Sequence, residues 1–373
     1  FVIQGLLARE HAYNIRGAGR LIEDEAPEVW PILEEAIKGK YVLLNRAPTL
    51  HRQSIQAFRP VLIEGNAIQV HPLVCSAFNA DFDGDTMAVH LPLGEEAQAE
   101  AREIMAADKN ILTPGSGDPT VTAKLLDVML GCYWTSKVAS GQKGEGKIFE
   151  SPQAAISAYV YKELGLRAPI KIMPGEGKKW AKIVQEANGA LVETTVGRIL
   201  FNGVLPSDYP YINTEVNRST MMGIIDDLII RDGIETIPTI IDEIKKFGFK
   251  YATKSGTTWG IDDIQIPEGK GDIIKAAKEE SETVYGQFND GLLSDEEKQR
   301  KNVEIWHDAK SKVEKLIAAN MHKNGVSVND MITAGARGAV SNITQMAGMK
   351  GLIQNSRGEV IEVPILSSSK EGF

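Results

Sequence analysis

The stretch Asn79-Ala80-Asp81-Phe82-Asp83-Gly84-Asp85 sets three carboxylates at alternate positions within five residues. In a flat strand they would share one face, yet the outer two would stand ~13 Å apart at ~3.3 Å per residue, too far for one ion to join them. A backbone that curls brings them together, and Gly84 permits the curl because glycine has no Cβ to clash at positive φ. Converged carboxylates repel, and without a cation some of them take up a proton. A hard divalent cation with oxygen ligands relieves the repulsion, and Mg²⁺ is the usual ion of phosphate chemistry. The loop therefore predicts a metal site of Asp81, Asp83 and Asp85. Phe82 and the apolar runs on either side predict that it is partly buried.

Other chemistries can share this pattern, and spacing sorts them. An acidic surface turn needs no ion at all. An EF-hand loop counted from Asp81 would need Gly and Glu at its sixth and twelfth positions, where Thr86 and Pro92 stand, so it is excluded. A phosphatase of the haloacid-dehalogenase type uses Asp-x-Asp-Gly-Thr after a wholly apolar strand. Here Asp85 replaces the Thr, and Ser76 and Asn79 interrupt the preceding run. That reading is weakened and stands as the alternative enzyme.

The segment before the loop is basic. Residues 41–75 carry Arg46, Arg52 and Arg59, no Lys and one acid, Glu64, with His51 and His71 in addition. Guanidinium groups make forked contacts with phosphate and ribose oxygens. Basic side chains beside a carboxylate–metal cluster are what a nucleotide polyphosphate requires, since metal and Arg share its charge. The plain alternative is that these Arg pair with surface acids.

Outward from the loop, residues 27–38 read as a helix, with Pro27 near its start and Gly39 at its end. Short apolar runs at 41–44, 61–63, 67–70 and 88–91, separated by Pro, Gly and Asn, read as strands and turns. Residues 94–107 turn helical. The stretch 110–250 is mixed. Over 267–320, Ile273, Ala277, Val284 and Phe288, then Val303, Trp306, Val313 and Ile317, recur at three-to-four spacing, with Lys310 interrupting the second set. Ser294 and Glu297 form a capping-box pattern between them, so an antiparallel helical hairpin is expected. The fold class is α+β with several domains.

The whole chain has 373 residues, 41 Lys and Arg against 50 Asp and Glu, and a net charge of −9. At roughly 100–200 residues per domain this is two or three domains. Such a charge argues against non-specific binding to nucleic acid, unless basic groups are concentrated in one place. Two cysteines, Cys75 and Cys132, form no disulfide framework and no CxxC zinc pattern, which fits a reducing cytoplasmic setting. No apolar run reaches the ~18 residues of a membrane span. The start at Phe1 and the end at Phe373 read as cuts in a longer polypeptide. The five Trp read as core, and His11, His307 and His322 as structural or exposed.

Three motifs together carry a resemblance: Asn45-Arg46-Ala47-Pro48-Thr49-Leu50-His51-Arg52, His71-Pro72-Leu73-Val74-Cys75 and the 79–85 loop. They closely resemble the largest subunit of multisubunit RNA polymerases, in its bacterial form. The likeness extends through Ser255-Gly256, Gly260-Ile261-Asp262-Asp263, Gly335-Ala336-Arg337-Gly338 and Gly348-Met349-Lys350-Gly351-Leu352. The resemblance implies a helical lead-in at 1–40 and part of a double-psi β-barrel at 41–93. It further implies a mainly helical pore region at 94–255, a hairpin on the rim of the secondary channel at 256–322, and a loop region before a bridge helix at 323–373. It implies that Asp81, Asp83 and Asp85 hold a catalytic Mg²⁺ and that a second Mg²⁺ arrives with the nucleoside triphosphate. Arg46 and Asn79 would read the ribose hydroxyls, and Arg337 would support the bridge helix. Implied partners are the β, α, ω and σ subunits, template DNA, nascent RNA, NTPs and factors at the 267–320 hairpin, in the cytoplasm at the nucleoid and away from membranes. By itself the segment is expected to be inactive. One departure is local: after Asp118-Pro119 the family usually has Pro-Ser-Gln-Asp, and this chain has Ala123-Lys124-Leu125-Leu126-Asp127.

Overall fold

The structure is a computed structural model that describes the chain except residues 114–116, 118–125, 187–190, 325 and 373. The departure at 118–125 and the side chain of His322 lie outside what is described. Among the described residues helices dominate and the strands form two small sheets, an α+β arrangement. Contacts divide the chain into two units, Phe1–Leu125 with Met222–Ile241, and Leu126–Met221 with Asp242–Phe373. Among the described residues no helix is long and apolar enough to cross a membrane.

The first unit opens with helices Val2–Ala8, Ile15–Glu23 and Val29–Ile37, whose core is Leu6, Ala12, Ala18, Val29 and Ile32. Asn14 starts the second of them, its side chain accepting from Gly17 N at 2.7 Å. Strands β1 (Val42–Asn45), β2 (Ile55–Phe58) and β3 (Ala88–His90) follow, ordered β2-β1-β3 and antiparallel throughout. Helix Glu95–Glu103 closes over this sheet through Tyr41, Ala57, Ala101 and Ala106. Gln98 ties helix to sheet, accepting from Tyr41 N at 2.9 Å and donating to Tyr41 O at 3.0 Å.

Two expected strands are absent. The apolar runs 61–63 and 67–70 are irregular, and Val61, Leu62, Ile63 and Ile68 are exposed. Pro60 removes a ladder donor before the first run, and Gly65 at φ 98° turns the chain between them. The second strand of the sheet is β2 instead. Its pattern was hidden by a buried polar residue, Gln56, whose amide donates to Gln53 O at 2.9 Å.

The second unit begins with helix Leu126–Ser136, buried on most sides. It passes close to helix Ile237–Ser255 where glycines meet: a Cβ on Gly131 would stand 1.9 Å from the Gly248 carbonyl oxygen. The second sheet joins β4 (Ile148–Phe149) parallel to β5 (Ile170–Ile172), which pairs antiparallel with β6 (Val192–Thr194). Helices Lys270–Asn289 and Asp295–Asn324 then lie against each other around Ala277, Trp306, Ala309, Val313 and Ile317. Ser281 donates to Asn302 at 2.8 Å inside this seam. Lys310 does not break the seam, because Ala309 takes the inward position and Lys310 stays at its margin. The capping box forms: Ser294 N donates to Glu297 Oε2 at 2.8 Å and Glu297 N to Ser294 Oγ at 3.3 Å. Trp180 and Trp306 are core, whereas Trp30 and Trp259 are exposed, against the sequence expectation.

The glycine contact gives a paired prediction. Gly131→Ala forces the backbones of two helices apart and should destabilise by about 2 kcal/mol or more. Gly203→Ala, in helix Val196–Val204 with open space around its Cβ, should be neutral or stabilising by up to about 1 kcal/mol. Thermal unfolding of the two variants checks the contrast.

Candidate metal centre

The carboxylate loop is built from both ends. Before it, the short helix Cys75–Phe78 stops at Asn79, which adopts the left-handed conformation at φ 50° and ψ 37°. Asn tolerates this region better than most residues, and the turn is closed by Ala80 N donating to Cys75 O at 2.9 Å. After it, β3 pairs with β1, setting Ala88 opposite Asn45. Ala80 and Met87 both pack on the cluster of Leu44, Val74 and Phe78. Residues 81–86 are thus pinned at each end and pushed outward between. Gly84 makes the curl at φ 120°. The loop is exposed, not partly buried as expected, and Phe82 faces solvent at 74 % exposure. The apolar residues that suggested burial serve instead as its two anchors.

The three carboxylates converge. One oxygen from each of Asp81, Asp83 and Asp85 lies within 4.8 Å of the other two. Asp85 Oδ2 accepts from Asp81 N at 3.1 Å, which closes the curl from within. It also accepts from Arg46 Nε at 2.8 Å. Arg46 reaches it because β1 ends at Asn45, whose partner Ala88 follows the loop.

The electrostatics follow from these contacts. A hydrogen bond shared with Asp83, then lost hydration and the charges of Asp83 and Asp85, hold the Asp81 carboxyl above its ordinary value. The Arg46 guanidinium and the Asp81 amide hold the Asp85 carboxyl below its own. The same bond to Asp85 raises Arg46. The Arg46 guanidinium on Asp85 offsets part of the loop's negative charge. A set of three carboxylate oxygens fits a hard cation, and it leaves coordination positions open for water or substrate oxygens, as Mg²⁺ prefers.

The other basic residues are used differently. Arg59 donates to Tyr41 Oη at 2.9 Å and lies over its ring. Arg52 opens a short helical turn, Arg52–Ser54. His71 Nδ1 accepts from Leu73 N at 3.2 Å and caps its own turn. Asn79 is exposed at the start of the loop, two residues before Asp81. Of the Arg residues considered from sequence, Arg46 is the one bonded to the cluster. Sequence reasoning did not find the Asp81 amide, because a backbone donor has no residue type to signal it.

Comparison with known proteins bears on this site. RNA polymerase Rpb1 domain 2 matches residues 8–107, domain 3 residues 110–264, and domain 4 residues 281–367. The chain belongs to the RNA polymerase Rpb1 family. It is 45 % identical over 373 residues to the DNA-directed RNA polymerase subunit beta' of Desulforamulus reducens, covering 100 % of this chain and 30 % of that protein. It is 44 % identical over 374 residues to the subunit beta' of Pelotomaculum thermopropionicum, again across 100 % of this chain and 31 % of the relative. For that of a Nocardioides strain the identity is 45 % over 380 residues, with 29 % of the relative covered. The chain therefore spans about a third or less of the length of these relatives. The carboxylate loop and Arg46 lie within the Rpb1 domain 2 match.

The contact between Asp85 and the Asp81 amide is directly testable. In Asp85→Ala the Asp81 amide loses its acceptor, and its hydrogen exchange should accelerate about tenfold, the equivalent of one modest hydrogen bond. An unchanged rate would show that the curl does not depend on Asp85.

Proposed function

We propose that this chain carries the metal-binding part of the catalytic centre of a DNA-directed RNA polymerase. The observation that supports it most is the convergence of Asp81, Asp83 and Asp85 within 4.8 Å, in a loop that the Rpb1 domain 2 match includes. These three carboxylates would hold Mg²⁺. When bound, the ion supplies the Lewis acidity that nucleotidyl transfer from an NTP to an RNA 3′-hydroxyl needs at the attacking and leaving oxygens. The chain's own part is to collect the ligands, to keep them on a pinned loop, and to orient the nucleotide. Arg46 and Asn79 would contact the ribose hydroxyls, where a 2′-hydroxyl distinguishes ribonucleotide from deoxyribonucleotide. Arg46 already stands on the cluster, within reach of a molecule bound there.

The remaining assignments follow the same reading. The sheet β2-β1-β3 is open among the described residues, and we read 41–93 as part of a double-psi β-barrel that other segments complete. Residues 1–40 are the helical lead-in and 94–255 the pore region. Residues 256–322 are the antiparallel hairpin at the secondary-channel rim, and 323–373, with Arg337, support a bridge helix. Its partners would be the β, α, ω and σ subunits, template DNA, nascent RNA and NTPs, in the cytoplasm at the nucleoid. Leu292 is exposed between the two hairpin helices and gives a secondary-channel factor an apolar contact. The phosphatase alternative loses its support, since Asp81 follows a helical turn and not an apolar strand.

Asp83→Ala tests the reading. In the assembled polymerase it should cut RNA synthesis about a thousandfold or more, because a ligand of the ion that carries several kcal/mol of charge stabilisation is lost. Asp83 is exposed, so circular dichroism and melting should not change. A folded variant that elongates RNA at the wild-type rate overturns the assignment.

A further inference from the structure

We infer that a cavity beside the base of the helix pair, between residues 263–268 and the end of helix Asp295–Asn324, binds a small organic cation, an amine or amidine carried on one apolar ring. Every residue of this site lies in the second unit, so it stands or falls apart from the carboxylate loop.

The cavity measures about 260 Å³. A dry cavity of about 150 Å³ is enough for benzene, so this one has room for a ring and a polar head. Its apolar wall is Ile264, Ile317, Met321, Val328 and Ile343, all buried and all members of the core around Trp306. A wall that is already packed spares the ligand the cost of ordering it. Asp263, Glu268, Gln265 and Asn320 complete the lining, and both carboxylates are exposed to water. Among the described residues that line the cavity there is no Lys, Arg or His. Lys370 approaches from outside, and its ammonium is engaged by the carbonyls of Ile261 at 3.1 Å and Ile264 at 2.8 Å. That contact fixes one side of the cavity, and Gly260 N fixes Asp263 by donating to its Oδ2 at 2.6 Å.

The lining selects the ligand by its chemistry. The apolar wall favours a ring, whose surface it removes from water. Two carboxylates with no cation beside them in the lining favour a positive head and repel an anion. An amidine or ammonium offers them donors, and the side-chain oxygens of Gln265 and Asn320 accept the same kind of donor. The place in the fold agrees with a functional role. Ile343 ends the helical turn Val340–Ile343, and a π-helical turn, Thr344–Gly348, follows it directly. Such turns are rare and often mark functional sites.

The test uses benzamidine as the probe and the full chain, followed by methyl NMR. Benzamidine should bind with a Kd of about 1 mM, as expected for a fragment of about nine heavy atoms, and should shift the methyl resonances of Val328 and Ile343. Benzyl alcohol, of similar size without the charge, should bind about tenfold more weakly, and benzoate should not bind. Glu268→Gln combined with Asp263→Asn should weaken benzamidine about tenfold and leave benzyl alcohol unchanged. Both side chains are exposed, and Asn keeps an acceptor for Gly260 N, so the melting temperature should not move. Benzamidine that leaves Val328 and Ile343 unshifted, or shifts only residues of the carboxylate loop, overturns the proposal. So does benzoate binding as well as benzamidine, or a folded double variant that binds benzamidine as the wild type does.

Discussion

The mutual repulsion of three carboxylates held within 4.8 Å is the constraint around which the first unit is arranged. A flexible acidic turn would relax that repulsion by splaying its side chains into water. This loop does not, because its ends are fixed by Ala80 and Met87 on the Leu44, Val74 and Phe78 core and by the pairing of β3 with β1. The apolar packing therefore offsets an electrostatic strain, which a cation at the loop would relieve. The loop's own amide and Arg46 share what remains of the charge.

An acidic chain is compatible with the polyphosphate chemistry proposed for it. A net charge of −9 is an average over 373 residues. At the loop, one guanidinium faces three carboxylates, and the field a substrate meets is set by that arrangement and by any bound ion. The acids of the helix pair at 270–324 lie far along the chain, in the other unit, and are mostly solvated.

The convergence of the three carboxylates was legible in the sequence, because Gly84 permits the curl that a flat strand denies them, and the motif around it is specific. The helix pair was legible too, because Ala277, Trp306, Val313 and Ile317 follow the helical repeat. What failed were judgments that depend on neighbours distant in sequence. β2 was invisible because Gln56 is buried and satisfied by a backbone carbonyl, which no apolar pattern reports. The runs at 61–63 and 67–70 were apolar without becoming strands, since Pro60 and Gly65 break the ladder. The loop's exposure was misjudged because flanking apolar residues can anchor a loop without covering it.

The central claim is that Asp81, Asp83 and Asp85 hold one divalent ion together. The most direct measurement is anomalous scattering from Mn²⁺ introduced into crystals of the protein. The account predicts a single peak about 2.1 Å from one oxygen of each of the three carboxylates. A peak bound to one carboxylate alone, or none at the loop, would contradict it.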